Sequence, residues 1–183
     1  EVCLTENNKK YAIYYWGILV LALSVMLKAN YVFNLPQNID KVIPSVFIVL
    51  LLGCFISKFS GYCPVSLFDR INFLIVYPVF EEIAFRGLIL AKLANYPLLA
   101  NFYYIPFIIS FSFATLISAF LFAIHLQFHK PDQQSIKLMI FAFIGGLFFG
   151  IIAQATQSIL LSILLHMAFN GSAIYFSRPE FHN

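Results

Sequence analysis

Glu81-Glu82-Ile83-Ala84-Phe85-Arg86 sets two carboxylates and a guanidinium near the middle of Ile71–Leu93, an otherwise apolar run. That run is long enough to cross a bilayer. Charge at such depth costs about 2.5–3.5 kcal/mol per residue on insertion scales, so it is rare and usually functional. Of the eight acidic residues in the chain, only Glu81 and Glu82 fall inside an expected span. The segment therefore demands an explanation in chemistry, transport or packing.

Working outward, the remaining sequence reads as membrane protein. It is 61% hydrophobic and 10% charged, against roughly 25% charged residues in a soluble domain. The 22 Phe and 10 Tyr suit lipid-facing and interfacial positions. A net charge of +3, scattered along the chain, excludes nucleic acid as a partner and leaves the lipid bilayer as the evident one. Cys3, Cys54 and Cys63 are an odd count without metal-ligand spacing, and imply no disulfide framework.

Six spans are expected, giving an all-α polytopic transmembrane helix bundle: Tyr11–Leu27, Val42–Ser57, Ile71–Leu93, Phe102–Leu126, Lys137–Gln154 and Ser158–Phe176. The fourth is long enough to be tilted or broken near Pro106. The first lacks an Ala-x-Ala-like site and is expected to be a retained helix. The connections, Lys28–Lys41, Lys58–Arg70, Asn95–Asn101, Gln127–Ile136 and Ala155–Gln157, are short and polar, so residues 1–183 are expected to form one membrane domain.

Orientation follows from the basic residues outside the spans. Lys9, Lys10, Lys58, Arg70, Lys130, Lys137 and Arg178 lie on one side, with Lys28, Lys41 and Lys92 on the other. The positive-inside rule puts both termini in the cytoplasm. Gly145, Gly146 and Gly150 mark a seam where a neighbouring helix can approach. Pro78, three residues before Glu81, removes a backbone hydrogen bond and is expected to bend the third span where the polar site begins.

Glu82 and Arg86 are an i,i+4 pair with the acid first, the favoured order, and form a structural ion pair. Glu81 diverges by about 100° and has no basic residue one turn away on its own helix. A carboxylate so placed suits the work of a general base. His125 closes the fourth span, while His166 and Asn170 share a face of the sixth. A carboxylate, two imidazoles and an amide converging between helices could activate water and stabilise an oxyanion. Glu81, His125 and His166 could equally hold a divalent metal such as zinc, since two His and one carboxylate leave an open position. His129, four residues after His125, reads as an interfacial residue or a second ligand.

These motifs resemble the CAAX-protease and bacteriocin-processing (CPBP) family of intramembrane endopeptidases, which includes the type II CAAX prenyl endopeptidases. The family pattern is Glu-Glu-x3-Arg, then Phe-x3-His, then His-x3-Asn. The first and third match at Glu81–Arg86 and at His166–Asn170. In the second, Leu121 stands four residues before His125, and Phe120 and Phe122 flank it. The resemblance covers residues 71–176, the expected catalytic core.

The resemblance implies an intramembrane protease, of glutamate or metallo type. Glu81 would activate water with help from His125, Arg86 would hold Glu82, and His166 and Asn170 would bind the oxyanion. The implied substrate is a membrane-associated peptide, such as a prenylated protein C-terminus, a leader peptide or a bacteriocin. No His-Glu-x-x-His zinc motif is present, and no cofactor is required by the sequence. The composition suits a multi-pass protein of the bacterial inner membrane. A non-catalytic immunity or binding protein is the alternative. A proton-coupled transporter would more often show internal repeats, and none is evident.

Overall fold

The computed structural model describes residues 2–58, 66–105, 108–129 and 136–176. Expectations for Cys63, Pro106, Lys130 and Arg178, and for the side chains of Cys3, Lys9, Lys10, His129 and Lys137, lie outside the described residues.

The architecture is an all-α bundle. Helix α1 (Val2–Met26) leads through a short α2 (Asn30–Phe33) to α3 (Ile39–Ser57). The next helix, α4, runs without a break through five pieces: Leu67–Ile71, Asn72–Val76, Tyr77–Glu82, Ile83–Leu90 and Ala91–Leu93. A single turn, α5 (Pro97–Ala100), precedes a hairpin of β1 (Phe102–Ile105) and β2 (Ile108–Ser112). Three long helices complete the chain: α6 (Phe113–His129), α7 (Ile136–Thr156) and α8 (Leu160–Phe176).

Four of the six expected spans coincide with long helices to within a few residues, and α1 ends as expected but starts well before Tyr11. The fourth differs. Its first part pairs antiparallel, Phe102 opposite Ser112 and Tyr103 opposite Phe111, and the helix starts only at Phe113. That run is aromatic and β-branched, which suits a pleated ladder as well as a helix.

Ile39–Ser57 and Met139–Thr156 are long and apolar enough to cross a membrane by length and composition; Tyr11–Met26, Phe113–Leu126 and Leu160–Phe176 are shorter apolar helices. Along α3 only Val42, Ser45 and Ser57 are buried, while Phe47, Leu51 and Phe55 lie on its exposed side. The interior in turn holds Glu81, Glu82, Arg86, Thr115, Ser118, His166 and Asn170. An apolar outside around a polar inside is the arrangement that hydrocarbon, not water, stabilises.

Helix α4 positions the site. Ser66 caps its start: Asp69 N–H donates to Ser66 Oγ at 3.1 Å, and Ser66 N–H donates back to the Asp69 carboxylate. Two π-helical stretches, Asn72–Val76 and Ile83–Leu90, bracket the turn that carries both carboxylates. Wide turns of this kind often occur at functional sites. In the first, Tyr77 N–H donates to Asn72 O, five residues back. Continued by one residue, that register would ask residue 78 to donate to the Phe73 carbonyl, and Pro78 has no N–H to give.

At the far end, the segment around α2 clamps the α7–α8 turn. Ile159 N–H donates to Tyr31 O at 3.0 Å, Gln37 N–H to Thr156 O at 2.8 Å, and Ser158 Oγ to Asn34 O at 2.6 Å.

Candidate active site

Burial of Glu82 and Arg86 dictates their pairing, because an isolated charge in low dielectric is too costly. Both side chains are fully enclosed, and Arg86 Nη1 donates to Glu82 Oε1 at 2.9 Å. The second fork nitrogen, Nη2, donates to Gly146 O on α7 at 3.0 Å. The guanidinium lies over the Phe122 ring at 4.5 Å and near Phe149 at 5.6 Å. Arg86 thereby ties α4 to α6 and α7.

The Gly146 carbonyl is reachable because that residue has no side chain. A Cβ there would meet Arg86 Nη2 and Phe122 Cδ1 at 3.1 Å and Ala119 Cα at 3.3 Å. A Cβ at Gly150 would meet Thr115 at 3.5 Å, so this glycine also lies on the seam, whereas a Cβ at Gly145 would meet nothing within 4 Å. The expected seam is thus made by two of the three glycines.

His166 on α8 joins both carboxylates. Its Nδ1 is 3.0 Å from Glu82 Oε1, and its Nε2 is 3.8 Å from Glu81 Oε2. The imidazole is stacked on Phe149, ring centroids 5.2 Å apart, and met edge-on by Phe122 at 5.9 Å. With a carboxylate at Nδ1, the ring is held in one orientation and its tautomer is set.

Asn170, one turn further along α8, is buried and donates from Nδ2 to Phe73 O at 2.7 Å. That carbonyl is the one whose donor, in the register of Tyr77 and Asn72, would be residue 78. The amide therefore supplies the hydrogen bond that the proline cannot.

His125 packs on aromatic rings. Trp16 of α1 stacks on it at 5.2 Å with 21° between planes, and Phe85 of α4 lies against it at 5.2 Å, tilted by 54°. The departure at Leu121 also has its geometry. Leu121 is exposed, and Phe122, one residue later, is the buried aromatic that touches Phe85, Arg86 and His166.

The structure thus brings Glu81, Glu82, Arg86 and His166 into one buried cluster. Of the possible metal set, Glu81 and His166 come together in that cluster, and among the described residues no group of three or more His, Cys, Asp or Glu side chains is arranged to hold a metal ion. His125 instead lies on Trp16 and Phe85.

Sequence reasoning missed several supporting residues: Trp16, Phe149, the Gly146 carbonyl, Tyr14, whose hydroxyl donates to Asn72 Oδ1 at 2.6 Å, and Ser118, whose hydroxyl donates to Phe85 O at 2.8 Å. Tyr14 and Trp16 sit on a helix whose local pattern is only apolar. Their signal is the long-range contact, which a single sequence does not carry.

A family model described as type II CAAX prenyl endopeptidase Rce1-like matches residues 63–172. No curated protein and no solved structure matches the chain.

Proposed function

The chain belongs to the Rce1-like family of type II CAAX prenyl endopeptidases and is a CAAX-type intramembrane endopeptidase; from that premise we propose that Glu81 and His166 are its working pair, with Glu82 and Arg86 as their support. The observation that carries this reading is the imidazole placed between two carboxylates, Nδ1 on Glu82 at 3.0 Å and Nε2 facing Glu81 at 3.8 Å.

Glu82 is enclosed and already receives Arg86 and His166 on one oxygen, so it is not the base. Glu81 is the base. In the reaction, Glu81 takes a proton from water as the water oxygen attacks the scissile carbonyl. His166, protonated and fixed by Glu82, donates from Nε2 to the developing oxyanion. The C–N bond then breaks and Glu81 returns its proton to the leaving amine.

Asn170 gives one amide hydrogen to Phe73 O and is proposed, with His166, to meet the oxyanion with the other. His125 is assigned to orienting the attacking water. Among the described residues no group of three His, Cys, Asp or Glu side chains is arranged to hold a metal ion, and the steps above use protein groups alone. We further propose residues 71–176 as the catalytic core, both termini in the cytoplasm, and a bacterial inner membrane as the home. The substrate would be a peptide tethered to the membrane by a prenyl group.

The test uses the full chain reconstituted in liposomes with prenylated and unprenylated peptides. Cleavage by the wild type, abolished in Glu81→Gln and His166→Ala while both remain folded, supports the assignment. Full activity in Glu81→Gln would sink it.

A further inference from the structure

Helix α1 lies outside the matched stretch, yet it meets the site at three positions within four residues. Tyr14 donates to Asn72 Oδ1 on α4 at 2.6 Å. Trp16 covers the His125 ring. Gly17 lies so close to Phe80, the residue before Glu81, that any Cβ there would collide with the phenyl ring. The glycine is what permits the approach, and the approach is what delivers the indole.

An imidazole nitrogen presents its lone pair or hydrogen in the plane of the ring. A ring stacked face-on therefore restrains rotation of the imidazole plane while leaving both in-plane directions open. Trp16, 5.2 Å away by centroid with 21° between planes, does this to His125, and Phe85 lies against the same ring at 5.2 Å, tilted by 54°. Phe85 follows Glu81 by four residues on α4, so the plane is set relative to the proposed base. Offset and tilted aromatic contacts at these distances are favourable in themselves.

We infer that Trp16 is a positioning residue for His125, and that α1 is a working part of the catalytic site. This rests on the assignment of His125 above. The indole does not touch the reacting atoms; it fixes the plane in which His125 presents a nitrogen to water. Its loss should lower turnover and leave substrate binding alone, because a misplaced group costs rate steeply.

The experiment uses the full chain in liposomes with a prenylated peptide. Trp16→Leu keeps apolar volume and removes the stack, and Trp16→Phe keeps a ring. The expectation is that Trp16→Leu lowers kcat by roughly tenfold with KM unchanged, while Trp16→Phe stays within roughly twofold of wild type. Trp16 is the single tryptophan of the chain, so its fluorescence reports the contact independently of activity. Its emission should change in His125→Ala and not in His166→Ala.

Trp16→Leu turning over like wild type, or emission indifferent to His125→Ala, would overturn the inference. A wild type that cleaves nothing while the emission still depends on His125 would instead fall on the protease assignment.

Discussion

His166 turns Nδ1 onto Glu82 Oε1 at 3.0 Å, the same carboxylate oxygen that receives Arg86 Nη1 at 2.9 Å. One oxygen thus joins three helices, since Arg86 also reaches Gly146 O on α7. The two adjacent glutamates consequently have different environments and, in the function proposed, different duties. Glu82 is bound by Arg86 and His166, whereas Glu81 faces the other side of the imidazole.

Glu81→Gln and Glu82→Gln should therefore fail differently. Glu81→Gln removes the base and should cost roughly 10²–10⁴-fold in turnover with little change in thermal stability. Glu82→Gln leaves a buried guanidinium without its counter-charge, and should cost about 3–5 kcal/mol of stability as well as activity. Cleavage assays paired with thermal unfolding in detergent separate the two. Equal stability losses would show that the division of labour is wrong.

Arg86→Lys tests the fork. The guanidinium spans Glu82 Oε1 and Gly146 O from two nitrogens and lies over Phe122. A lysine ammonium is a point charge that cannot reproduce that planar reach. The expected loss is about 1–3 kcal/mol, the cost of leaving one buried acceptor unsatisfied. A lysine variant as stable and active as wild type would mean that the Gly146 contact contributes nothing.

Much of this was legible in the sequence, for reasons of period and length. Residues 71–93 are apolar enough to span, and the i,i+4 spacing of Glu82 and Arg86 announces their pair. What was not legible was nonlocal. The His166–Glu82 contact joins positions 84 residues apart, and a helical face shared with Asn170 does not say which neighbour it meets. Pro78 was expected to bend α4; the structure places a π-helical stretch before it and the Asn170 amide at the Phe73 carbonyl. In Phe102–Ser112 the apolar run had the right hydropathy for a helix, but its β-branched and aromatic residues pair as strands. Length alone could not arbitrate, because the helix that follows continues the same composition.

The glycines of α7 give a paired prediction. Gly146→Ala pushes a methyl against Arg86, Phe122 and the α6 backbone at Ala119, and should cost about 1–3 kcal/mol with loss of activity. Gly145→Ala meets open space and should be neutral or slightly stabilising. Thermal unfolding of the two variants decides it. The reverse order would remove Gly146 from the seam.

Pro78 and Asn170 should be coupled. Asn170→Ala withdraws the donor at Phe73 O, and Pro78→Ala adds a backbone N–H that the register of Tyr77 and Asn72, continued by one residue, would direct to that carbonyl. The double variant should then be more stable than the sum of the single effects implies, by about 0.5–3 kcal/mol. Activity distinguishes two roles for the amide. If Asn170 only positions α8 against α4, Pro78→Ala restores cleavage in the Asn170→Ala background along with stability. If its second N–H also meets the oxyanion, stability returns and turnover does not. Strict additivity of the two stabilities would break the link between the proline and the amide, because each would then be acting on a different bond.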